Sequence, residues 1–164
     1  PLPDGDVYAP SAGFVDDMPV GHDPEGGATW MAHCYGTVGV ARGSDPGSGN
    51  GSQLYAVTGH GPRHLDRNLT MIGRVIDGME HLSSLPRGTE SLGFYATDAE
   101  HVRILSAAIS SALPPEERRD VRVMNTASAA YRDWLEGRRT RTDAFFVRID
   151  PCNALPPVEV GPGG

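Results

Sequence analysis

The chain has 164 residues with 21 Gly, 14 Pro and only 7% aromatic residues, enough length for one buried core and a composition that favours a loop-rich fold of short elements over a helical bundle. A formal net charge of -7 and a pI near 5.2 give no positive footprint for a phosphate backbone or an anionic membrane, which argues against nucleic acid as a partner. No apolar run approaches the roughly 20 residues that span a bilayer, so no membrane span is expected.

Taken in chain order, residues 1 to 28 mix Pro, Gly and Asp and read as a long excursion with at most a short apolar element around Phe14 and Val15. The first strand is expected over 37–42, "TVGVAR", where Val38 and Val40 alternate with small residues. It runs into "GSDPGSGNGS", a loop by composition, and a second strand is expected over 53–58. An irregular stretch, "GHGPRHLDRN", precedes a third strand in "LTMIGRV". Ile76, Met79 and Leu82 then recur at helical spacing, predicting a short helix over 76–85 closed by Pro86 and Gly88. A fourth strand is expected from His101, with Val102, Ile104 and Ser106 on one face. These strands and long loops argue for a curved antiparallel sheet or barrel.

From Leu113 the character changes. "LPPEERRD" reads as a polar linker, and Ala127, Ala130, Tyr131, Trp134 and Leu135 mark an amphipathic helix with Asn125 or Thr126 as its cap. A last strand is expected over 144–149, followed by a frayed Pro- and Gly-rich end.

Several motifs carry no chemistry. His60 and His64 have a helical metal spacing, but Gly61 and Pro62 forbid the helix, so no metal is expected. The Gly-rich loop lacks the Gly-Lys-Ser/Thr ending of a phosphate cradle. Asp16 and Asp17 read as a solvated carboxylate pair, and no Ser, Cys or Thr has a nearby base. Cys34 and Cys152 form no Cys-x-x-Cys pair; free thiols are the favoured reading, with a disulfide in an oxidising compartment left open.

One question remains from "NGSQLYAVTGH". Asn, Gly and Ser suit a turn, but a Gln at the first strand position serves neither turn nor strand. The ordered set "VGVAR", "NGSQLYAVT" and "HLDRNLTMIGRVIDGME" resembles the carboxyl-terminal half of the cyclophilin-type peptidyl-prolyl cis–trans isomerases, over about residues 36 to 88 and more loosely to 113. The likeness is to a bacterial branch, with a long loop before the first matched strand and an added tail.

The resemblance implies a role for each matched position. Gln53 would project from a barrel strand, bond the substrate and help orient a catalytic Arg. Tyr55 would wall the proline pocket with Leu65, His64 stands where the family has Trp or another ring, and Leu69, where many members carry His, would be a further substrate-binding position. The backbone of Ala41 and Arg42 would hold the peptide beside the proline. Plain core for Tyr55 and an ordinary loop position for His64 stay open.

The resemblance also implies a mainly β, barrel-type fold that is incomplete, because the family's upstream Phe-His-Arg motif and Phe-x-x-Gln-x-Gly-Asp segment do not occur in this sequence. Residues 1–113 are expected to be the carboxyl-terminal portion of a cyclophilin-like domain, and 114–164 an extension. The intact protein would isomerise X-Pro bonds in Pro-containing client segments and assist folding, without metal or nucleotide. The 164 residues alone would lack the catalytic Arg, and a non-catalytic module that binds Pro-containing peptides is the alternative. The chain begins without Met, so a signal could precede it, and the compartment, periplasm or cytoplasm, is not legible.

Overall fold

A computed structural model describes residues 1–139 and 149–161. Its first sheet lies in the stretch expected to be irregular: β1 (Ser11–Val15), β2 (Met18–Asp23) and β3 (Ala28–Met31) pair antiparallel in the order β1-β2-β3. Asp16 and Asp17 are the two residues between β1 and β2, with φ of 48° and 62°. Positive φ at both central residues matches the twist of a tight hairpin, so this Asp pair is turn chemistry instead of a free carboxylate pair. Pro19 in β2 and the glycines in β1 and β2 hide the period-2 pattern that marks a strand.

A second sheet carries the expected strands, shortened at their ends. β4 (Thr37–Val40) is central, flanked by β5 (Leu54–Ala56) and β6 (Met71–Arg74). The predicted helix shrinks to α1 (Met79–Ser83), which starts after Gly78 at φ 82°. Where an incomplete barrel is expected, the described residues form two separate three-stranded sheets and no closed barrel. β5 and β6 each pair with β4, and the first sheet ends at β1 and β3, so no strand bridges the two sheets.

The fourth strand expected from His101 is also absent. Residues 101–109 are irregular, and Val102, Ile104, Leu105 and Ile109 are exposed. Alternating apolar residues make a strand only where a neighbour supplies a hydrogen-bonded ladder, and none of the described strands pairs with this segment.

The polar linker instead leads into β7 (Asp120–Val123), which pairs antiparallel with β8 (Val158–Gly161) in the tail expected to fray. Between them lies α2 (Ala129–Arg139), whose Tyr131 N–H donates to Ser128 Oγ at 3.0 Å. Ser128 is therefore the capping residue, not Asn125 or Thr126. The strand expected over 144–149 falls on residues outside the described ones, save Ile149.

The segment after α2 folds back on the amino end. Leu2, Ile149 and Ala154 form a small buried cluster with Phe14 and Leu135 packed against it. Tyr131 meets Phe14 edge to face at 5.6 Å between centroids, and its hydroxyl donates to the Ala154 carbonyl at 2.6 Å. Cys34 and Cys152 are joined in a disulfide that links the approach to β4 with this segment, overturning the free-thiol reading. Their 118-residue separation is why spacing alone did not reveal the pair. No helix among the described residues is long and apolar enough to cross a membrane.

Candidate active site

The second sheet sets the geometry. Gly39 is paired with Tyr55 on β5 and with Met71 on β6, so the three residues form one row across the sheet. Paired residues share a face, and so do residues two apart on a strand. Gln53 accepts the Ala41 N–H through its carbonyl at 2.9 Å, which extends the β4–β5 ladder by one step. Ala41, Gln53 and Tyr55 thus lie on one face, with Leu54 on the other.

Along that face the side chains differ in freedom. The Gln53 side chain is exposed, and among the described residues its amide has no hydrogen-bond partner. Tyr55 is half-buried and lies across Gly39: a Cβ on Gly39 would stand 2.5 Å from the Tyr55 Cζ and Oη atoms. A strand glycine here leaves the groove that the phenol fills.

The Tyr55 hydroxyl is the end of a buried polar chain that the sequence did not disclose. It lies 3.0 Å from His33 Nε2 and 3.5 Å from Met71 Sδ. His33 is fully buried, and both its Nδ1 and its backbone N–H reach Asp66 Oδ1, at 3.0 and 2.9 Å. A carboxylate oxygen only accepts, so Nδ1 carries a proton, and in the neutral ring Nε2 is then the acceptor for the Tyr55 hydroxyl. Asp66 Oδ2 accepts from Arg63 Nε at 2.6 Å, and the other end of Arg63 donates to both oxygens of Asp6 at 3.2 and 2.5 Å.

Burial and charge oppose each other within this chain. Burial penalises the Arg63 charge, and the hydrogen bonds and charges of Asp6 and Asp66 overcome it, so the guanidinium is held above its ordinary pKa. Burial alone raises the Tyr55 phenol, which favours the neutral hydroxyl that can donate.

Of the remaining positions expected in the site, Arg42 and Leu69 lie at the end of β4. Arg42 donates to the Asn68 carbonyl at 3.3 Å, to Asn68 Oδ1 at 3.1 Å and to the Gly43 carbonyl at 2.9 Å. Val40 N–H donates to the Thr70 carbonyl at 2.9 Å, so half-buried Leu69 is tied to β4 on both sides. His64 and Leu65 belong to a 3-10 turn over Arg63–Leu65, with His64 exposed and Leu65 half-buried. The structure therefore groups Ala41, Gln53 and Tyr55 on one face, ties Arg42 and Leu69 at its edge, and leaves His64 toward solvent.

His33, Arg63, Asp66 and Asp6 were the residues missed. A polar side chain set between Ala32 and Cys34 in "MAHC" is the signal that a buried, partnered histidine leaves. Its partners are far away in sequence, which no local pattern reveals. Among the described residues no group of three or more His, Cys, Asp or Glu is arranged to hold a metal ion.

Residues 8–109 match the family model described as cyclophilin type peptidyl-prolyl cis-trans isomerase. The crystal structure of cyclophilin AquaCyp293 from Hirschia baltica superposes on this chain with a TM-score of 0.69 and 26% sequence identity. That alignment covers 93% of this chain and 55% of the Hirschia baltica chain, so this chain spans about half the length of that relative. No curated protein matches it.

Proposed function

Because the chain belongs to the cyclophilin-type peptidyl-prolyl cis–trans isomerases, a family whose members act on X-Pro bonds and bind Pro-containing peptides, we propose that it supplies the substrate-gripping half of such an enzyme. The observation that carries this reading is the shared face of Ala41, Gln53 and Tyr55, with the Gln53 amide exposed and, among the described residues, unpartnered.

The chemistry needs little more than such a face. Rotation about a peptide bond meets a barrier of about 18–20 kcal/mol because the nitrogen lone pair is delocalised into the carbonyl. For X-Pro the uncatalysed change takes on the order of tens to hundreds of seconds. A protein lowers the barrier without nucleophile or cofactor by holding the twisted amide in an apolar pocket and offering a hydrogen-bond donor to the prolyl nitrogen as its lone pair localises. In this reading Tyr55, Leu65 and Leu69, with His64 at the rim, wall the proline, and the backbone of Ala41 and Arg42 holds the peptide. Gln53 bonds the substrate and orients the donor.

The family's donor is the Arg of a Phe-His-Arg stretch, and these 164 residues contain none. We assign that Arg to an upstream segment, with the chain acting as the carboxyl-terminal part of a longer isomerase. Two observations support this assignment. The chain spans 55% of the Hirschia baltica cyclophilin, and on the second sheet Leu54, on the face away from Tyr55, is 57% exposed, while Ile72, at the irregularity in the β4–β6 pairing, is 55% exposed. The missing Arg equally favours a second reading, a groove that binds Pro-containing segments without catalysis.

An exchange measurement on a Pro-containing peptide, made with the longer protein that carries the upstream segment, separates the two. Catalysed exchange that falls more than tenfold in Gln53→Ala, with unchanged thermal stability, is expected for an isomerase. Peptide affinity that depends on Gln53 without any catalysed exchange means the binding module. Exchange and affinity both indifferent to Gln53→Ala remove this face from function.

A further inference from the structure

We propose that His33 and Asp66 are positioning residues that hold the Tyr55 ring across Gly39 by capturing its hydroxyl on the side away from the substrate. The proposal rests on the reading of Tyr55 as a wall of the proline pocket, and adds residues that no resemblance assigns to it.

The chemical problem is set by the side chain itself. A wall for a proline ring needs only apolar surface, and a phenol brings a hydroxyl that costs free energy wherever it is shielded from water without a partner. Tyr55 therefore serves as a plain aromatic wall only if an acceptor stands behind it. His33 Nε2 at 3.0 Å is that acceptor, and Met71 Sδ at 3.5 Å is a far weaker one. Because Gly39 offers no side chain to lean on, the position of the ring depends on where its hydroxyl is tied.

The tie is fixed from behind in successive steps. His33 is fully buried and is gripped twice by Asp66 Oδ1, once at the ring and once at its own backbone N–H. These two bonds fix both the tautomer and the orientation of the imidazole, as a carboxylate does for a metal-bound or catalytic histidine. Asp66 is in turn held by Arg63, and Arg63 by Asp6, so the wall of the proposed pocket is anchored to the amino-terminal segment 57 residues away from Arg63. His33 and Tyr55 are partnered at every side-chain polar atom, Asp66 accepts at both oxygens, and all three Arg63 nitrogens donate, so the row is well enough connected to rigidify its surroundings.

A merely structural role for His33 would affect stability and leave no dependence on one hydroxyl, so the test turns on that dependence. In the 164-residue chain, ring flipping of Tyr55 followed by aromatic NMR should be at least tenfold faster in His33→Leu and in Asp66→Asn than in the parent. His33→Gln, whose amide can reach the Nε2 position, should recover most of the slow flipping. Peptide affinity, or kcat/KM where exchange is catalysed, should fall at least fivefold in His33→Leu and to a similar extent in Tyr55→Phe, since each variant removes the same tie. Adding His33→Leu to Tyr55→Phe should then cost less than a further twofold. Equal losses in both backgrounds, or flipping unchanged in both His33→Leu and Asp66→Asn, would overturn the proposal. The flipping measurement needs no substrate, so a parent protein that binds and isomerises nothing would refute the proposed function and leave the anchoring of Tyr55 to be judged by NMR. Asp66→Asn, which keeps the side-chain shape, supplies the answer if His33→Leu does not fold.

Discussion

Tyr55 lies on Gly39 so closely that a methyl group at position 39 would stand 2.5 Å from the phenol oxygen. The contact is across paired strands, where neither backbone is free to withdraw. Gly39→Ala should therefore push the ring off its groove and cost about 1–3 kcal/mol, the usual range for overpacking. In a Tyr55→Ala background the same substitution should be close to neutral, since the atoms it meets are gone. Urea unfolding of the two single variants and the double variant measures the coupling, and additive costs would mean that the contact is not the cause.

The disulfide between Cys34 and Cys152 closes a loop across a separation of 118 residues. In the chain-entropy description a loop of that size stabilises by about 4–5 kcal/mol. Cys152→Ser, or reduction of the parent, should lower the urea midpoint by a corresponding amount. A loss below about 1 kcal/mol would mean that the reduced chain keeps its ends together through other ties. The Tyr131 hydroxyl on Ala154 and the Arg139 pair with Asp4 are the ones at hand.

Tyr131 links titration to that same docking. Burial, with Asp17 nearby, pushes its phenol up to about 12 from 10.0, so the folded state keeps the proton that the unfolded chain loses first. A raised pKa of this kind contributes stability that is fully present below pH 10 and is lost as pH rises through about 12. An alkaline unfolding transition in that window should be reduced in Tyr131→Phe. At neutral pH the same variant should lose about 1–3 kcal/mol, because the buried Ala154 carbonyl loses its donor.

The strands at Thr37–Val40, Leu54–Ala56 and Met71–Arg74 were legible because each is a short apolar run bounded by turn residues. β2 was not, because Pro19 and Gly21 occupy strand positions that only pairing with β1 and β3 makes workable. Segment 101–109 departs from the expected strand for the converse reason: its alternation is real, but alternation records only which face a strand would bury, not whether a partner exists. The same division runs through the site. Gln53 and Tyr55 were legible from one local stretch, whereas His33 meets Asp66 across 33 residues and Arg63 meets Asp6 across 57. Contacts of that span follow from the chain's path and leave no trace in local spacing.

Glu100 organises the loop after α1. Its carboxylate accepts from Thr89 Oγ1 at 2.6 Å, from Thr89 N–H at 3.0 Å and from Ala96 N–H at 3.2 Å. The bonds from Thr89 lead in holding the Glu100 carboxyl below its ordinary 4.5. A depressed carboxylate contributes order that is present above pH 4.5 and is lost as pH falls through the folded value. Amide exchange at Thr89 and Ala96 should therefore show its protection weaken below pH 4.5, after correction for the intrinsic pH dependence of exchange. Glu100→Gln should show the weakened protection already at neutral pH, because a neutral amide is a poorer acceptor for three donors than a carboxylate. The carboxylate lies at the surface, so the effect should stay within the loop and leave the midpoint of global unfolding unchanged. A clear shift of that midpoint would mean that segment 89–100 supports the second sheet directly.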